Sequence, residues 1–164
     1  MILIGIGSNL PAPPAETPLA TAVAALAALP KLAIEVVARS GWYLSEPVPV
    51  SDQPWFVNGV AIVSSELGPM ALLDRLLALE VDFGRRRGAL NAARTLDLDL
   101  LDHDSRSCDT PRLSLPHPRL HQRRFVLEPL REVAPSWRHP QLGLSAAELL
   151  ERVPAGQPVR RIDG

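Results

Sequence analysis

The sequence contains a single cysteine, Cys108, among 164 residues. It can therefore form no internal disulfide bond and no zinc site that needs two thiolates, and it suits a reducing, cytoplasmic compartment. Aromatic residues make up only 4% of the chain, and no apolar run approaches the roughly 18 residues that a membrane-spanning helix needs. The N-terminus also lacks the basic segment of a secretory signal peptide. We therefore expect a cytoplasmic protein without a membrane partner.

Neither sign of charge is in excess, because 17 lysine and arginine residues face 18 acidic residues and the net charge is −1. This balance excludes a uniformly basic nucleic-acid-binding surface. Apolar residues are 46% of the chain, which excludes disorder by composition. A chain of 164 residues suits one compact domain with an ordinary core. We predict a monomer with one domain over residues 1–164, in which residues 155–164 form a tail.

Hydrophobic patterning predicts six elements in the order strand, helix, strand, strand, helix, strand. The predicted strands are residues 2–6, 32–44, 55–64 and 94–101, and the predicted helices are residues 18–29 and 69–83. This order is typical of an α+β fold with a ferredoxin-like βαββαβ antiparallel sheet and helices on one face. Short helices near residues 125–133 and 145–152 would form a C-terminal helical extension.

Charge is arranged in three consecutive blocks. Residues 85–94 contain four arginines and no acid, residues 97–109 contain five aspartates and one arginine, and residues 112–124 contain four arginines and two histidines. Arginine matches the geometry of phosphate oxygens, and aspartate binds divalent cations. The pattern indicates a site for a polyanion with divalent cations. Solvent-exposed loops in an arginine-rich sequence are the alternative interpretation.

The acidic block begins with Asp97-Leu98-Asp99, within a stretch that alternates between leucine and polar residues. In a strand, residues i and i+2 lie on one face, about 6.6–6.8 Å apart. Two carboxylates at that spacing repel each other unless a cation lies between them, and Mg²⁺ is bound by carboxylates together with substrate phosphates. An exposed strand face is the alternative, but the flanking arginines favour a metal site.

Other catalytic motifs are incomplete. Gly5-x-Gly7 lacks the third glycine of a dinucleotide-binding motif, and Lys31, the single lysine, is not in a P-loop. His117 and His121 are four residues apart, but the prolines around His117 argue against a helix that would present both to zinc. Cys108 lies beside an aspartate, which disfavours a reactive thiolate.

Six motifs occur in order between about residue 2 and residue 135. They are Gly-Ser-Asn-Leu at 7–10, Asp-Gln-Pro-x-Phe-x-Asn at 52–58, Gly-Arg-x-Arg at 84–87, Arg-Thr-Leu-Asp-Leu-Asp-Leu at 94–100, Leu-Pro-His at 115–117, and Arg-x-Phe-x-Leu-x-Pro-Leu at 123–130. With these motifs the sequence resembles the 6-hydroxymethyl-7,8-dihydropterin pyrophosphokinase family of folate biosynthesis.

The resemblance implies transfer of pyrophosphate from ATP to the hydroxymethyl group of 6-hydroxymethyl-7,8-dihydropterin, with release of AMP. It implies that Asp97 and Asp99 hold two Mg²⁺ ions and that ATP is the co-substrate. By the same resemblance the catalytic residues are Arg85, Arg94, Asp97, Asp99 and His117.

The resemblance also implies two binding sets. The nucleotide set is Leu77, Glu80, Arg87, Leu100, Arg112, Ser114, His117 and Arg123. The pterin set is Ser45, Val48, Gln53, Phe56, Asn58 and Phe125, with Phe56 and Phe125 on opposite sides of the ring.

The sequence departs from the family pattern in the arginine loop, where Asn91-Ala92-Ala93 stands in place of more typical residues and Gly88 replaces a basic residue. How this loop contacts nucleotide is therefore open. Two other functions are weighed against the enzyme. One is a ferredoxin-like RNA-binding module, and the other is an inactive relative that acts only through interactions.

Overall fold

The computed structural model describes residues 1–85 and 93–162, and Arg87 lies outside the described residues. The main-sheet strands are β1 (Ile2–Ser8), β2 (Glu35–Arg39), β3 (Trp42–Ser45), β4 (Phe56–Ser64), β5 (Asp97–His103) and β8 (Val159–Ile162), and β6 (Cys108–Asp109) and β7 (Ser114–Leu115) form a separate hairpin. The helices are α1 (Pro18–Ala28), α2 (Pro69–Asp82), α3 (Arg124–Val133) and α4 (Ala146–Leu150). Within this described part, no helix has the length and apolar character needed to cross a bilayer.

The main sheet is antiparallel and has the order β5-β1-β4-β3-β8, with β2 also paired to β4. The central strand β1 contacts β5 on one side and β4 on the other. Its register places Gly7 opposite both Asp97 and Asn58, and Gly5 opposite both Asp99 and Val60. The sheet therefore brings three sequence-distant strands together over one short stretch.

Helices α1 and α2 cover one face of the sheet, as the sequence predicts. Thr17 caps α1 through a hydrogen bond from the Ala20 N–H to its Oγ1 (3.0 Å), and proline occupies the first helical position. The apolar stripe of α2, which includes Leu76, is buried against the isoleucines of β1 and the leucines of β5. Alternation in β5 is confirmed, because Leu98 and Leu100 are buried in this layer.

The sequence did not assign the two C-terminal helices to a face of the sheet. Helices α3 and α4 cover the opposite face, where Leu127 and Leu149 pack with Leu3, Val60 and Leu101 of the sheet. The reason is that β1 and β4 carry apolar side chains on both faces, so both faces need cover. The C-terminal helices therefore form a second helical layer.

The predicted strand over residues 32–44 is divided in two. Residues Leu29–Leu32 form a short 3-10 helix, so the first strand begins only at Glu35. The strand conformation is then interrupted at Ser40 and Gly41, between β2 and β3. At this break the Trp42 ring lies over Gly59, where a Cβ would come within 2.7 Å of the ring. The Val60 N–H donates to Ser40 Oγ at 3.0 Å, so a side chain replaces one contact of the ladder.

The predicted tail over residues 155–164 is corrected in its described part, where Val159–Ile162 form a strand. Strand β8 pairs with β3, with Ile162 opposite Trp42 and Val159 opposite Ser45. Without β8, β3 would be an edge strand with unpaired backbone groups, and the added strand satisfies them. The end of the described chain is therefore part of the sheet.

Candidate active site

A cavity of about 780 Å³ opens on the sheet face that α3 and α4 cover. Strands β1, β4 and β5 form its floor, and its walls come from residues 45–49, 119–126 and 142–157. It brings together nine of the residues singled out in the sequence: Ser45, Val48, Phe56, Asn58, Arg94, Asp97, Asp99, Arg123 and Phe125.

Two glycines on β1 leave the floor open. A Cβ on Gly7 would lie 3.4 Å from Asn58 Oδ1 and 3.9 Å from Asp97 Cβ, so a side chain there would fill the gap between these residues. Gly5 occupies the same face one pleat earlier, beside Asp99. Sequence analysis considered these glycines only as a failed dinucleotide motif. Their alternation with isoleucine in a strand was the available signal for close approach of a ligand.

Both carboxylate oxygens of Asp97 are bound by arginine. Arg85 Nη1 lies 3.0 Å from Oδ1, and Arg94 Nη1 lies 2.9 Å from Oδ2. Three of the five predicted catalytic residues are therefore in direct contact. Because arginine donates as readily to phosphate as to carboxylate, these two guanidinium groups are positioned for an anion at this edge of the cavity.

Asp99 has a different environment. Arg123 Nη1 lies 3.9 Å from Asp99 Oδ2, too far for a strong hydrogen bond. Burial, and after it the negative charge of Asp97, raises the pKa of Asp99 to about 7. The charge of Asp97 thus disfavours the charged form of Asp99, and a cation between them would relieve this repulsion.

Asp97 and Asp99 suit Mg²⁺ in their donor chemistry. They offer hard carboxylate oxygens from one strand face, with 21% and 31% of the side-chain surface accessible. In the described part of the chain, no three histidine, cysteine, aspartate or glutamate residues group together as a metal site. A metal held here would therefore need further ligands from water or from substrate phosphates, which is how Mg²⁺ is commonly bound.

Glu80 supports the carboxylate strand from behind. It is 3% exposed, and its Oε2 accepts hydrogen bonds from the Leu98 N–H (2.7 Å) and from Arg85. Burial raises the pKa of Glu80, while its hydrogen bond to the Leu98 backbone and the charge of Arg85 oppose that shift. Glu80 is not among the residues that line the cavity. Its contacts fix the backbone between Asp97 and Asp99.

Asn9 is a site residue whose role sequence analysis missed. It is 1% exposed, and its Oδ1 accepts from the Arg94 N–H at 2.7 Å. Its Nδ2 donates to Gln53 Oε1 (3.0 Å) and to the Pro54 carbonyl (3.1 Å). Asn9 thus ties the end of β1 to Arg94 and to the loop that follows β3. The predicted pterin residue Gln53 contacts Asn9 and does not line the cavity.

His117 lies beside the cavity lining. Burial, and after it the charge of Arg123, lowers the pKa of His117 to about 4. Its Nδ1 accepts a hydrogen bond from the Arg119 N–H at 3.2 Å. The ring is therefore neutral at pH 7 with its proton on Nε2, so Nε2 can donate to an anion.

Four further described residues of the predicted nucleotide set lie outside the cavity lining. Leu77 is 36% exposed on α2, and Arg112 forms an ion pair with Asp74 of the same helix. Ser114 belongs to the β6–β7 hairpin. The side chain of Leu100 is buried in the core, so only its backbone can face a ligand. Among the members of the nucleotide set that the structure describes, Arg123 lines the cavity.

The predicted pterin residues form the opposite part of the cavity. Asn58 Nδ2 donates to Ser45 Oγ at 2.6 Å, and Phe56 and Phe125 both line the space. The Arg123 guanidinium lies 5.4 Å from the Phe125 ring centroid. Further lining residues, which no sequence motif indicated, come from the C-terminal part of the chain: Leu142, Leu144, Leu149, Arg152, Pro154 and Gln157.

Comparisons with known proteins identify the family of the chain. The family model for 7,8-dihydro-6-hydroxymethylpterin-pyrophosphokinase matches residues 3–135. The 2-amino-4-hydroxy-6-hydroxymethyldihydropteridine pyrophosphokinase of Pseudomonas aeruginosa is 40% identical over 163 residues, covering 99% of this chain and 97% of that protein. The Haemophilus influenzae protein of the same name is 41% identical over 132 residues, covering 80% of this chain and 79% of its own length.

A solved structure shares the fold. The Plasmodium falciparum HPPK-DHPS with pteroate superimposes with a TM-score of 0.68 at 11% identity, over 92% of this chain and 44% of that one. This chain therefore spans less than half of the Plasmodium protein, and the likeness is one of fold. The family model and the bacterial relatives give the family itself. The chain belongs to the 7,8-dihydro-6-hydroxymethylpterin-pyrophosphokinase family.

Proposed function

We propose that this chain transfers a pyrophosphoryl group from ATP to the hydroxymethyl group of 6-hydroxymethyl-7,8-dihydropterin in folate biosynthesis. The observation that carries this function is the pair Asp97 and Asp99 at the floor of a large cavity, with Arg85, Arg94 and Arg123 around it. Membership of the pyrophosphokinase family supports the same reaction.

In the proposed reaction the pterin hydroxyl oxygen attacks the β-phosphorus of ATP. The bond between that phosphorus and the oxygen bridging to the α-phosphate breaks, AMP leaves with the electron pair, and the hydroxyl proton passes to solvent. Attack on a polyanion requires charge neutralisation and alignment more than covalent chemistry from the protein. A cavity that holds both substrates together also supplies part of the acceleration, up to roughly 7–11 kcal/mol for well-oriented reactants.

We assign Asp97 and Asp99 as the residues that would hold two Mg²⁺ ions. When bound, the ions supply neutralisation of phosphate charge and orientation of the phosphates. The raised pKa of Asp99 supports this assignment, because it indicates a carboxylate beside Asp97 whose charge the nearest arginine, Arg123 at 3.9 Å, does not offset.

Arg85 and Arg94 act on the phosphates in this proposal. Each donates to one oxygen of Asp97, so the residue that would hold a metal also holds both arginines at the edge of the cavity. Metal at Asp97 would weaken these ion pairs and release the guanidinium groups for phosphate oxygens. Neutral His117, with its proton on Nε2, would donate a further hydrogen bond to the nucleotide.

The pterin would lie over the glycine floor between Phe56 and Phe125. Asn58 and Ser45 offer hydrogen-bonding groups to its edge, and Val48 belongs to the neighbouring wall. Flat heteroaromatic rings bind well in a slot with one aromatic face on each side. The absence of a side chain at Gly7 leaves room for the ring beside Asp97.

The adenosine part of ATP would lie outside the cavity lining. We propose that it contacts the surface formed by Leu77, Arg112, Ser114 and the backbone of Leu100, which the resemblance implies. Glu80 would act there mainly through the contact that it makes with Arg85.

We also propose that the chain is a single ferredoxin-like domain that acts as a cytoplasmic monomer. The strand order with the first and third predicted strands at the centre supports the ferredoxin-like assignment. The proposed use of ATP as the donor supports a cytoplasmic location.

Neither alternative function gains support from the site. An RNA-binding module would present aromatic residues on its central strands, but the cavity face of β1 carries Gly5 and Gly7 beside two carboxylates. An inactive relative would tolerate loss of the charged residues, whereas Asp97, Arg85 and Arg94 form one hydrogen-bonded group.

The test is an assay of the purified protein with Mg²⁺, 6-hydroxymethyl-7,8-dihydropterin and ATP labelled at the β-phosphate. The expected products are AMP and a pterin that carries the label. Formation of ADP would indicate a simple kinase, and release of labelled pyrophosphate would indicate adenylate transfer, so either result would contradict the proposal. An assay without pterin controls for hydrolysis of ATP.

A further inference from the structure

Strand β8 and the residues just before it contact two separate walls of the cavity, one at Ser45 and Glu46 and the other around Arg123. Strand β8 pairs with β3, where Val159 lies opposite Ser45, and the Glu46 N–H donates to the Pro158 carbonyl at 3.4 Å. The segment is thus attached to the strand and loop that we assign to pterin binding. It lies beyond residues 3–135, which the family model matches.

Gln157, two residues before this strand, contacts the segment that contains Arg123. Gln157 Oε1 accepts a hydrogen bond from the Arg124 N–H, and Gln157 Nε2 donates one to the Gln122 carbonyl, each at 3.0 Å. These two backbone groups lie on either side of Arg123. A single side-chain amide therefore holds the backbone immediately before and after the arginine that faces Asp99.

The same contact stabilises the start of α3. Arg124 is the first residue of the helix, and the cap residue Arg123 contributes no side-chain hydrogen bond to it. The first N–H groups of a helix have no partner within the helix, and an acceptor from elsewhere satisfies one of them. Gln157 supplies that acceptor. It thereby fixes the first turn of α3, which carries Phe125.

We propose that Gln157 is a positioning residue that holds Arg123 and Phe125 in place for substrate binding. The inference rests on the proposed function, in which Arg123 contacts the nucleotide phosphates and Phe125 contacts the pterin. Arg123 is the centre of the effect, because Gln157 bonds to both of its neighbours. Loss of the amide would let the first turn of α3 open, so that Arg123 spends less time beside the phosphates.

The test compares Gln157→Ala with Gln141→Ala, which changes an exposed glutamine outside the cavity lining. Isothermal titration with Mg²⁺ and the non-reacting ATP analogue in which carbon bridges the α- and β-phosphates measures binding without turnover. We expect Gln157→Ala to weaken analogue binding about 5- to 10-fold, equivalent to roughly 1–1.4 kcal/mol. In the assay KM for ATP should rise more than kcat falls, and Gln141→Ala should change neither.

A double-mutant cycle separates positioning from general stability. In an Arg123→Ala background, Gln157→Ala should cause less than about a twofold further loss of analogue binding, because the residue through which it acts is gone. Equal losses with and without Arg123, or wild-type affinity for Gln157→Ala, would overturn the inference. Should Gln157→Ala unfold, Gln157→Glu replaces it, since it can accept from Arg124 but cannot donate to Gln122. Absence of AMP from the wild-type protein would instead contradict the proposed function, and the binding cycle would still test Gln157.

Discussion

The two faces of the sheet come from the same strands but carry different chemistry. On β1, the side chains of Ile4 and Ile6 lie on the face under α1 and α2. Gly5 and Gly7 alternate with them and leave the face under α3 and α4 without side chains at these positions. On β5, Leu98 is buried on the first face and the carboxylates of Asp97 and Asp99 lie on the second. The first face is a packed core, and the second is a cavity floor.

The difference between the two faces shows that one sheet can contribute to both stability and function. A strand that alternates between large apolar residues and small or charged residues fixes its own position through one face and leaves the other free for ligand. The packed face holds in place the strand from which the carboxylates project. Substitutions on the two faces should therefore separate loss of stability from loss of activity.

The largest difference between loss of activity and loss of stability is expected for substitutions on β5. Asp97→Asn should lower kcat by about 10³-fold, or roughly 4 kcal/mol, because it removes a proposed metal ligand and the partner of two arginines. Its melting temperature should stay close to that of the wild type. Leu98→Ala, on the opposite face, should lower the free energy of unfolding by about 2–5 kcal/mol while the folded fraction keeps kcat within about threefold. Asp97→Asn with more than a tenth of wild-type kcat would remove the basis for the proposed site.

A second separation is expected on β1. Gly7→Ala should raise KM for the pterin about tenfold, because the new methyl group occupies the space between Asn58 and Asp97. Stability should be unchanged or higher by about 0.5–1 kcal/mol, since alanine is preferred over glycine within a strand.

Ile6→Val is the matched control from the packed face. It should lower the free energy of unfolding by about 0.5–1.5 kcal/mol and leave KM unchanged. Steady-state kinetics and thermal denaturation of the two variants check both values. A Gly7→Ala protein with normal KM would show that ligand does not approach this part of the floor.

The sequence predicted those differences between the two faces that depend on residues close together in the chain. The alternation around Leu98 and the spacing of Asp97 and Asp99 are local, and the structure confirms that alternation. The motif resemblance identified Arg94 and Asn58, which the structure places in the same cavity.

Other features depend on contacts between distant parts of the chain. The pairing of β8 with β3 and the bonds of Gln157 beside Arg123 join segments that no local pattern relates. The sequence predicted the two C-terminal helices but not their face, because short helices can pack on either face of a sheet that is apolar on both. Asn9 belonged to a recognised motif, but its bond to the Arg94 N–H depends on the tertiary structure.

The carboxylate face should also respond to pH in the absence of metal. The pKa of Asp99 is raised to about 7 in the folded protein, above its ordinary value of 3.8. Between these values the folded state retains a proton that the unfolded state has lost, so the stabilisation is complete below the unfolded pKa and is lost as pH rises through 7. With EDTA present, the melting temperature of the wild type should therefore fall relative to that of Asp99→Asn between pH 5.5 and 8.

Asp109→Asn controls for removal of a carboxylate at an exposed position on β6. Its melting temperature should follow the wild type across the same pH range. Addition of Mg²⁺ at pH 8 should raise the melting temperature of the wild type but not that of Asp99→Asn. If wild type and Asp99→Asn change in parallel with pH, the carboxyl of Asp99 is not buried against Asp97 as the structure has it.

The smallest effect is expected from the protonation of His117. Its pKa is lowered to about 4 by burial and by Arg123, so the ring stays neutral from pH 7 to pH 9 and its protonation contributes no change in rate there. We expect kcat of the wild type to vary less than about twofold over this range once ATP and Mg²⁺ saturate the enzyme. His117→Asn should lower kcat without changing the shape of the profile, because asparagine keeps a neutral donor. A wild-type profile with an inflection above pH 7 that His117→Asn abolishes would mean that His117 exchanges a proton during the reaction, and the hydroxyl proton would then pass to His117 and not directly to solvent.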